Sequence, residues 1–367
     1  MFMKKLLFCF IALFPISSFA QDCNCPVNFD YVTNHVIDNY SGYTDKIKSK
    51  NLNEFNSFTQ QLRKRALKAN GTDSCYIILK TWVNYFKDHH LRVQLDWRYR
   101  EKYPEQVKQL NKLFAAKDAS PGSDDKLDSQ TSISQLSPNT ILIRLPSFEW
   151  SEKKIIDSLF KANYESFKTI PNWIIDVRGN GGGTDYAFNS VLPYIYANPV
   201  NIKPDEYRSS ENNIAILEGN LKDPDLSGPA KELLSSVISL MRLHPNQFVN
   251  PSGKESFEIK LDSVYQFPKK VGILIDRNSA SSTESLLLMA MQSKKVIVYG
   301  ENSAGILDYG SYQYFDIPCT DLNLVIPIAR SKRLPQYPID NIGITPNVKI
   351  KVKEKDKVRF IQKRLQH

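Results

Sequence analysis

The chain has 367 residues, of which 41% are hydrophobic and 11% aromatic, so it is long enough to bury one large core and a smaller module. Its net charge is +9, and much of the basic excess lies between residues 349 and 364. No nucleic-acid-binding motif accompanies that basic run, which is typical of a solvated surface, so we expect no nucleic-acid partner. After the first twenty residues no uninterrupted apolar run reaches the length of a membrane span, and we expect no integral membrane segment.

The N-terminus has the three parts of a secretory signal peptide. Lys4 and Lys5 precede an apolar stretch from Leu6 to Pro15, and small residues lead to Ala20. This order predicts a signal peptide over residues 1–20, cleaved near Ala20, and a periplasmic or secreted mature protein.

Four cysteines remain after cleavage: Cys23, Cys25, Cys75 and Cys319. In an oxidising compartment they allow three pairings into two disulfides, and the sequence does not select among them. Their spacing matches no zinc-binding pattern, so we predict neither a metal nor a cofactor.

Residues 21–96 are predicted as a small helical N-terminal domain. Near its end an apolar stripe at helical spacing reaches Phe86, and the same phase turns His90 inward and His89 aside. If a strand already begins at residue 89, the phase reverses, because successive strand residues face opposite sides. A buried histidine with a purely structural role is the alternative interpretation of His90.

A linker is predicted over residues 97–135, since small and polar residues concentrate between 117 and 126. Apolar and amphipathic segments then alternate, which predicts an α/β core over residues 136–353, interrupted by an insertion at 201–268 that could line or cover a cleft. Residues 354–367 form a basic C-terminal tail. The predicted strands are Thr140–Leu145, Trp173–Arg178, Val271–Ile275 and Lys295–Tyr299, and the predicted helices are Glu152–Phe167, Tyr186–Ala197, Ala230–Leu243 in the insertion, and Ser285–Met291.

One of these strands runs directly into a glycine-rich turn, Gly179-Asn-Gly-Gly-Gly-Thr184. Three consecutive glycines let the backbone take positive φ and point N–H groups into a site as anion donors. A phosphate loop fits poorly, because the Lys-Ser/Thr pair is missing and Thr184 stands where a dinucleotide fingerprint needs its last glycine. An ordinary tight turn is the alternative.

A second strand runs into Asn278-Ser-Ala-Ser-Ser-Thr-Glu284, followed by a helix-like apolar stretch. A sharp strand-to-helix turn can hold a serine nucleophile exposed beside the N–H groups of a helix start. Ser281-x-x-Glu284 is also a capping box, so a simple helix start is the alternative.

Together, four short motifs resemble the C-terminal processing peptidases, or tail-specific proteases, and their tricorn-like relatives. The motifs are Asp176-Val-Arg-Gly-Asn-Gly-Gly-Gly183, Ser279-Ala-Ser-Ser-Thr-Glu284, Gly300-Glu301 and Gly343-Ile-Thr-Pro-Asn347, spread over roughly residues 136 to 350. The resemblance implies a ClpP/crotonase-like spiral of ββα units. It also implies a serine nucleophile at Ser281 and an oxyanion hole made by the backbone N–H groups of Gly182 and Ser282.

The resemblance further separates two kinds of catalytic base. Where the better-known branch has a lysine, this chain has Ile306, so a serine–lysine dyad is not expected. The tricorn-like branch uses a histidine, which aligns with His90. In that branch an acid precedes Asn-x-Gly-x-x-Pro, which implies Asp340 as an assisting residue; whether it reaches His90 directly, through water or not at all stays open. An ordinary turn residue is the alternative for Asp340.

The sequence therefore predicts a secreted or periplasmic serine endopeptidase acting on unfolded or extended polypeptides. About forty residues separate the helical region from the first core strand, too few for the PDZ domain that many relatives carry. One alternative is a catalytically inactive protein of the same fold that binds a peptide or a hydrophobic ligand. Another is hydrolysis of a non-peptide ester by the same residues. The oligomeric state is not predicted.

Overall fold

The structure, a computed structural model, describes residues 23–115, 127, 129–224, 226, 228–351 and 356–366. The predicted signal peptide lies outside the described residues, as does the polar stretch 117–126. No helix within the described ranges combines the length and the apolar character needed to cross a membrane.

The described residues form thirteen α-helices and thirteen β-strands, with two 3-10 turns at Asn84–Phe86 and Asp185–Phe188. The helices are α1 Cys25–Asn39, α2 Tyr43–Lys46, α3 Leu52–Ala66, α4 Gly71–Val83, α5 Trp97–Lys102, α6 Pro104–Phe114, α7 Trp150–Ala162, α8 Tyr164–Phe167, α9 Leu192–Ile195, α10 Glu211–Asn220, α11 Gly228–Leu243, α12 Ser282–Ala290 and α13 Lys357–Gln366. The strands are β1 Arg92–Leu95, β2 Ser132–Ser137, β3 Thr140–Arg144, β4 Asn172–Asp176, β5 Val200–Ile202, β6 Asp205–Arg208, β7 Phe248–Val249, β8 Phe257–Ile259, β9 Lys270–Ile275, β10 Val296–Gly300, β11 Tyr309–Asp316, β12 Leu322–Ser331 and β13 Val348–Lys349.

A six-stranded sheet in the order β13-β10-β9-β4-β3-β2 forms the centre of the α/β core. Its strands are parallel except for β2, which pairs antiparallel with β3 at the edge. The central strands are short apolar runs because helices cover both faces: β4, for example, is buried at every residue. Since β4 and β9 are parallel neighbours, the two turns singled out in the sequence leave the sheet side by side at its carboxyl edge.

A second sheet packs against the N-terminal helices, although four of its five strands come from residues 205–331. The long strand β12 pairs antiparallel with β1, β6 and β11, and β6 pairs with β7. Helices α1, α3 and α4 pack on this sheet around the fully buried Trp82, in a hydrophobic core that is distinct from the core of the parallel sheet. The fold is therefore mixed α/β with a helical N-terminal region, which confirms the fold class predicted from the sequence.

Two disulfides fasten the N-terminal helices. Cys25 pairs with Cys75 and joins α1 to α4. Cys23 pairs with Cys319, which lies in the connection from β11 to β12. The second bridge spans 296 residues of sequence, so it ties the start of the described chain to the strands that follow the serine turn.

The elements differ from the prediction in several places. The helix predicted over Glu152–Phe167 is divided into α7 and α8 at Asn163, and the predicted C-terminal tail contains α13, whose Ile361 and Leu365 are buried. Residues 97–114, which we assigned to a linker, form α5 and α6, because Asp96 caps the first helix at the Arg98 N–H and Pro104 opens the second. The single helix predicted from Tyr186 to Ala197 is a 3-10 turn followed by the short α9. Pro193 explains the break, since a proline inside a helix removes a hydrogen bond and clashes with the preceding turn.

Candidate active site

The serine turn and the glycine turn are joined into one unit by hydrogen bonds across the edge of the sheet. The Asp276 carboxylate accepts from the N–H groups of Gly179 (3.0 Å) and Asn278 (3.0 Å). The Ala280 N–H donates to the carbonyl oxygen of Asn180 at 2.9 Å. Ser279 is fully buried, and its hydroxyl donates to the Val177 carbonyl at 2.9 Å. Ser279 therefore has a structural role in holding the two turns together.

Ser281 stands between β9 and α12 with φ +55° and ψ −119°, a backbone conformation that L-residues rarely adopt. The neighbouring Ser279, Ser282 and Thr283 are buried, whereas Ser281 is partly exposed. Strained conformations of this kind persist only where the surroundings enforce them, and they concentrate at functional sites. The geometry is that of a strand-to-helix elbow that presents one hydroxyl to the outside.

The predicted capping box is also present, and Glu284 does more than cap the start of α12. The buried Glu284 carboxylate accepts from the Ser281 N–H at 3.1 Å. It also accepts from the Ser303 hydroxyl (2.5 Å) and from the N–H groups of Gly305 and Ile306 (2.8 Å each). Glu284 thus fixes the elbow and the loop after β10 to each other. Ile306, the position where related enzymes carry lysine, contributes its backbone to this contact.

The glycine turn lies directly against the elbow at Gly182, where φ is +95°. A Cβ on Gly182 would stand 2.7 Å from the Ser281 Cβ and 2.9 Å from the Ser282 nitrogen, so only glycine allows this approach. The Asn180 side chain holds the turn: its amide donates to the Leu145 carbonyl at 2.8 Å, and its Oδ1 accepts from the Gly182 N–H at 2.9 Å. The Gly182 N–H is therefore engaged in this state.

The second predicted oxyanion donor is the backbone N–H of Ser282. Ser282 is the first residue of α12, and its N–H has no hydrogen-bond partner among the described residues. Its hydroxyl is used elsewhere, donating to the Gly183 carbonyl at 3.0 Å. An unpaired N–H at the start of a helix, where the helix dipole favours negative charge, is a suitable donor to an oxyanion.

His90 is buried and lies in a turn, not in the helix or the strand that the sequence analysis considered. The turn therefore sets the direction of its side chain. Helix α4 ends at Val83, Lys87 takes a left-handed conformation with φ +49°, and β1 begins only at Arg92. His90 is 7% exposed and its ring stacks on Tyr312, whereas His89 is exposed. The inward direction of His90 therefore follows from the turn at Lys87.

The tautomer of His90 follows from one contact. Its Nδ1 lies 2.6 Å from the carbonyl oxygen of Tyr309, the first residue of β11. A carbonyl oxygen can only accept, so Nδ1 carries the proton and the lone pair of neutral imidazole is on Nε2. Burial lowers the pKa of His90, while the nearby charge of Asp88 and the bond to Tyr309 oppose that decrease. The neutral base form therefore prevails at neutral pH.

His90 and the elbow are electrostatically connected, since the Glu284 carboxylate that holds the Ser281 N–H also raises the pKa of His90. The two residues are positioned by different sheets: His90 stacks on Tyr312 of β11 in the antiparallel sheet, and Ser281 follows β9 of the parallel sheet. The candidate site therefore draws its residues from both sheets.

Asp340 makes no hydrogen bond to His90 in the part of the chain that the structure describes, and its contacts are with the segment before Tyr309. Its Oδ1 accepts from the N–H groups of Leu307 (2.9 Å) and Asp308 (2.8 Å), and the Asp308 carboxylate accepts in return from the Asp340 N–H at 2.9 Å. This reciprocal pair, the Asp308–Asp340 clasp, fixes the segment that ends in the Tyr309 carbonyl. Burial, followed by the charge of Asp88, raises the pKa of Asp340 to about 7.

A family model, described as peptidase family S41, matches residues 139–350. This match covers more than half of the chain. The chain belongs to peptidase family S41. A comparison with curated proteins gave no match.

Solved structures share the fold of this S41 peptidase at low sequence identity. A putative peptidase from Parabacteroides merdae is 16% identical, with a TM-score of 0.59 over 94% of this chain and 97% of that one. Mature CPAF, solved with lactacystin, is 10% identical, with a TM-score of 0.60 over 93% and 98%. A lipoprotein from Streptococcus agalactiae is 13% identical, with a TM-score of 0.52 over 93% and 97%. At these identities the likeness concerns the fold alone.

Three contributors to this S41 site were missed by the sequence analysis. The Tyr309 carbonyl acts through the backbone and leaves no side-chain pattern. The Asn180 side chain stood inside the glycine motif but was taken only as a turn residue. Glu284 was interpreted as a cap, although its hydrogen bonds to the loop after β10 are what hold the elbow. A strictly local signal predicted the cap, and only tertiary structure reveals the wider role.

Proposed function

We propose that the protein is a secreted or periplasmic serine endopeptidase that hydrolyses peptide bonds in unfolded or extended polypeptides through a Ser281–His90 mechanism. The observation that carries this proposal is the elbow at Ser281, strained at φ +55° and in direct contact with Gly182. Membership of family S41 supports peptidase activity.

In the proposed mechanism His90 is the general base. Its Nε2 takes the proton of the Ser281 hydroxyl while the oxygen attacks the peptide carbonyl carbon. The same proton then passes to the leaving amine as the C–N bond breaks. A water molecule, deprotonated by the same nitrogen, hydrolyses the resulting acyl-enzyme. The Tyr309 carbonyl keeps Nδ1 protonated throughout, a task that a buried aspartate performs in the serine protease triad.

The oxyanion would rest on the backbone N–H groups of Ser282 and Gly182. The Ser282 N–H needs no rearrangement, whereas the Gly182 N–H must be shared with or released from Asn180 Oδ1. Donors held in place before the reaction are worth roughly 3 to 4 kcal/mol each. Asp340 acts indirectly. The Asp308–Asp340 clasp positions the Tyr309 carbonyl, and this carbonyl positions the His90 ring.

Two further features support secretion. The signal-peptide pattern over residues 1–20 predicts export, and two disulfides are the usual mark of an oxidising compartment. Detection of the processed chain beginning near residue 21 in the periplasm or medium tests this part.

A fluorophosphonate probe tests the catalytic part. We expect the mature protein to be labelled on Ser281, and mass spectrometry of the digested adduct identifies the serine. Ser236→Ala is the control, because it removes an exposed hydroxyl on α11 and leaves both turns unchanged. Absence of labelling on Ser281 at every pH from 5 to 9 would reject the peptidase mechanism and favour a binding protein of the same fold.

A further inference from the structure

We propose that Asp88 is a positioning residue that supplies the negative charge of the catalytic set, acting on His90 through the backbone and through space instead of through a ring nitrogen. This inference rests on the proposed Ser281–His90 mechanism. It assigns to Asp88 the electrostatic part of the role that the sequence analysis gave to Asp340.

The first step is that neither ring nitrogen of His90 is available for a hydrogen bond to a carboxylate. Nδ1 is bonded to the Tyr309 carbonyl at 2.6 Å, and Nε2 must face the serine hydroxyl to accept its proton. A carbonyl fixes the tautomer but carries no full charge. The charge that stabilises a protonated His90 must therefore come from a group that does not bond to the ring.

The second step is the position of Asp88. The side chain is buried, and its Oδ1 accepts from the backbone N–H of His90 at 2.8 Å. Its Oδ2 accepts from the Tyr40 hydroxyl at 2.7 Å. The Tyr40 ring is itself fully buried and packs against Phe86 and Tyr309. Asp88 is therefore held at both oxygens, two residues before the base.

The third step compares the charges that face His90. Three charged side chains act on its pKa: Asp88 and Glu284 raise it, and Arg92 lowers it. Asp88 has the largest influence of the three. Glu284 is engaged by four donors in the elbow and the following loop, and its interaction with His90 is the weakest.

Asp340 and Asp308 are two further buried carboxyl groups in this region. Asp308 is paired with Arg333 and accepts from the N–H groups of Ile339 and Asp340, so it is engaged away from the base. Burial and the charge of Asp88 raise the pKa of Asp340 to about 7, so Asp340 takes up a proton near neutral pH. Asp88, which is bonded to the His90 N–H, is therefore the carboxyl group that we assign to this role.

The negative charge of Asp88 is important during the proton transfer. When His90 takes the serine proton it becomes a buried cation, and burial disfavours that form. A fixed negative charge beside the ring offsets this penalty at the moment of proton transfer, and it requires no movement.

The test compares Asp88→Asn with Asp340→Asn, measuring the rate constant of fluorophosphonate labelling of Ser281 from pH 5 to 9. Each asparagine keeps an acceptor oxygen for the backbone N–H groups that the aspartate served, so each variant removes charge with little change of shape. Asp38→Asn removes an exposed aspartate on α1 and controls for net charge.

We expect Asp88→Asn to slow labelling by about 10- to 100-fold at the plateau and to move the midpoint of the pH profile down by about one unit, because the histidine loses its main stabilising charge. Asp340→Asn keeps the oxygen that accepts in the clasp, so it should move the midpoint by less than Asp88→Asn does, and Asp38→Asn should match the wild type. An unchanged midpoint in Asp88→Asn would overturn the proposal, as would a larger effect of Asp340→Asn.

Tyr40→Phe provides a second measurement if Asp88→Asn does not fold. It leaves both aspartates in place and removes the hydroxyl that holds Asp88 Oδ2. A slowing of about 3-fold or more supports the proposal, and an unchanged rate overturns it. Failure of the proposed function is distinguishable, since in that case the wild-type protein itself is not labelled on Ser281.

Discussion

Gly182→Ala is the substitution whose consequence the structure specifies most closely. The new Cβ would lie 2.7 Å from the Ser281 Cβ and 2.8 Å from the Ala280 carbonyl oxygen, whereas ordinary contacts begin at 3.4 Å. The turn must therefore move by about 0.6 to 0.7 Å. An oxyanion donor works within a window of roughly 0.4 Å, from 2.7 to 3.1 Å, so this displacement takes the Gly182 N–H out of range.

The same position adds backbone strain, because φ at Gly182 is +95°. A non-glycine residue in such a conformation costs about 1 to 3 kcal/mol. We therefore expect labelling of Ser281 and peptide turnover to fall by about 10²-fold or more, with a moderate loss of thermal stability. In a Ser281→Ala background, peptide affinity should change little, because the lost donor acts on the transition state.

Gly181→Ala is the matched control in the same turn. A Cβ there meets no atom within 4 Å, and φ at Gly181 is not positive, so folding and labelling should remain close to wild type. Thermal midpoints of both variants separate loss of chemistry from loss of fold. Labelling rates of Gly182→Ala and Gly181→Ala within about 3-fold of each other would refute the oxyanion role of this turn.

The other predictions concern the nucleophile, the base, the clasp and the disulfides. Ser281→Ala should abolish labelling, whereas Ser279→Ala should keep it and lower the free energy of unfolding by about 1 to 3 kcal/mol, measured by urea denaturation, since it removes the buried hydrogen bonds of the Ser279 hydroxyl to Val177 and Asp276. The labelling rate should rise with pH as His90 deprotonates, with a midpoint below 6.5 because burial lowers its pKa; an alkaline midpoint would point to a lysine base instead. Because the pKa of Asp340 is raised in the folded state, stability falls as pH rises from about 4 to 7, and Asp340→Asn should remove roughly 1 to 3 kcal/mol of that loss in denaturation curves at pH 4 and 7; equal slopes in both proteins would contradict this. Replacing the Cys25–Cys75 pair by serines should lower stability by about 2 to 4 kcal/mol, and a change below about 0.5 kcal/mol would argue against that bridge.

The sequence predicted the parallel core well because its signals are local. Strands buried on both faces are short apolar runs in the sequence. The glycine turn contains the residue type that a positive φ favours, and small hydroxyl residues mark the serine turn. The family resemblance implied that Gly182 and Ser281 share a site, and the pairing of β4 with β9 places their turns at the same edge of the sheet.

The base side of the site could be predicted only in part. His90 was identified by resemblance, but its inward direction comes from a left-handed residue at Lys87 that no propensity required. Its Nδ1 partner, the Tyr309 carbonyl, is 219 residues away in sequence and offers no side-chain signal. The pairing of the four cysteines likewise depends on how β12 packs on the helices, which composition and spacing do not specify.

The order of synthesis gives the contact between His90 and Tyr309 a further meaning. A growing chain contains His90 long before Ser281, and it contains Ser281 before Tyr309 and Cys319. Until Tyr309 has been added, no carbonyl keeps the proton on Nδ1, and until Cys319 has been added, the helix that follows Cys23 is not tied to the later strands. In the proposed mechanism, an incomplete chain would therefore carry Ser281 without an oriented base, and activity would begin only once the strands after the serine are in place.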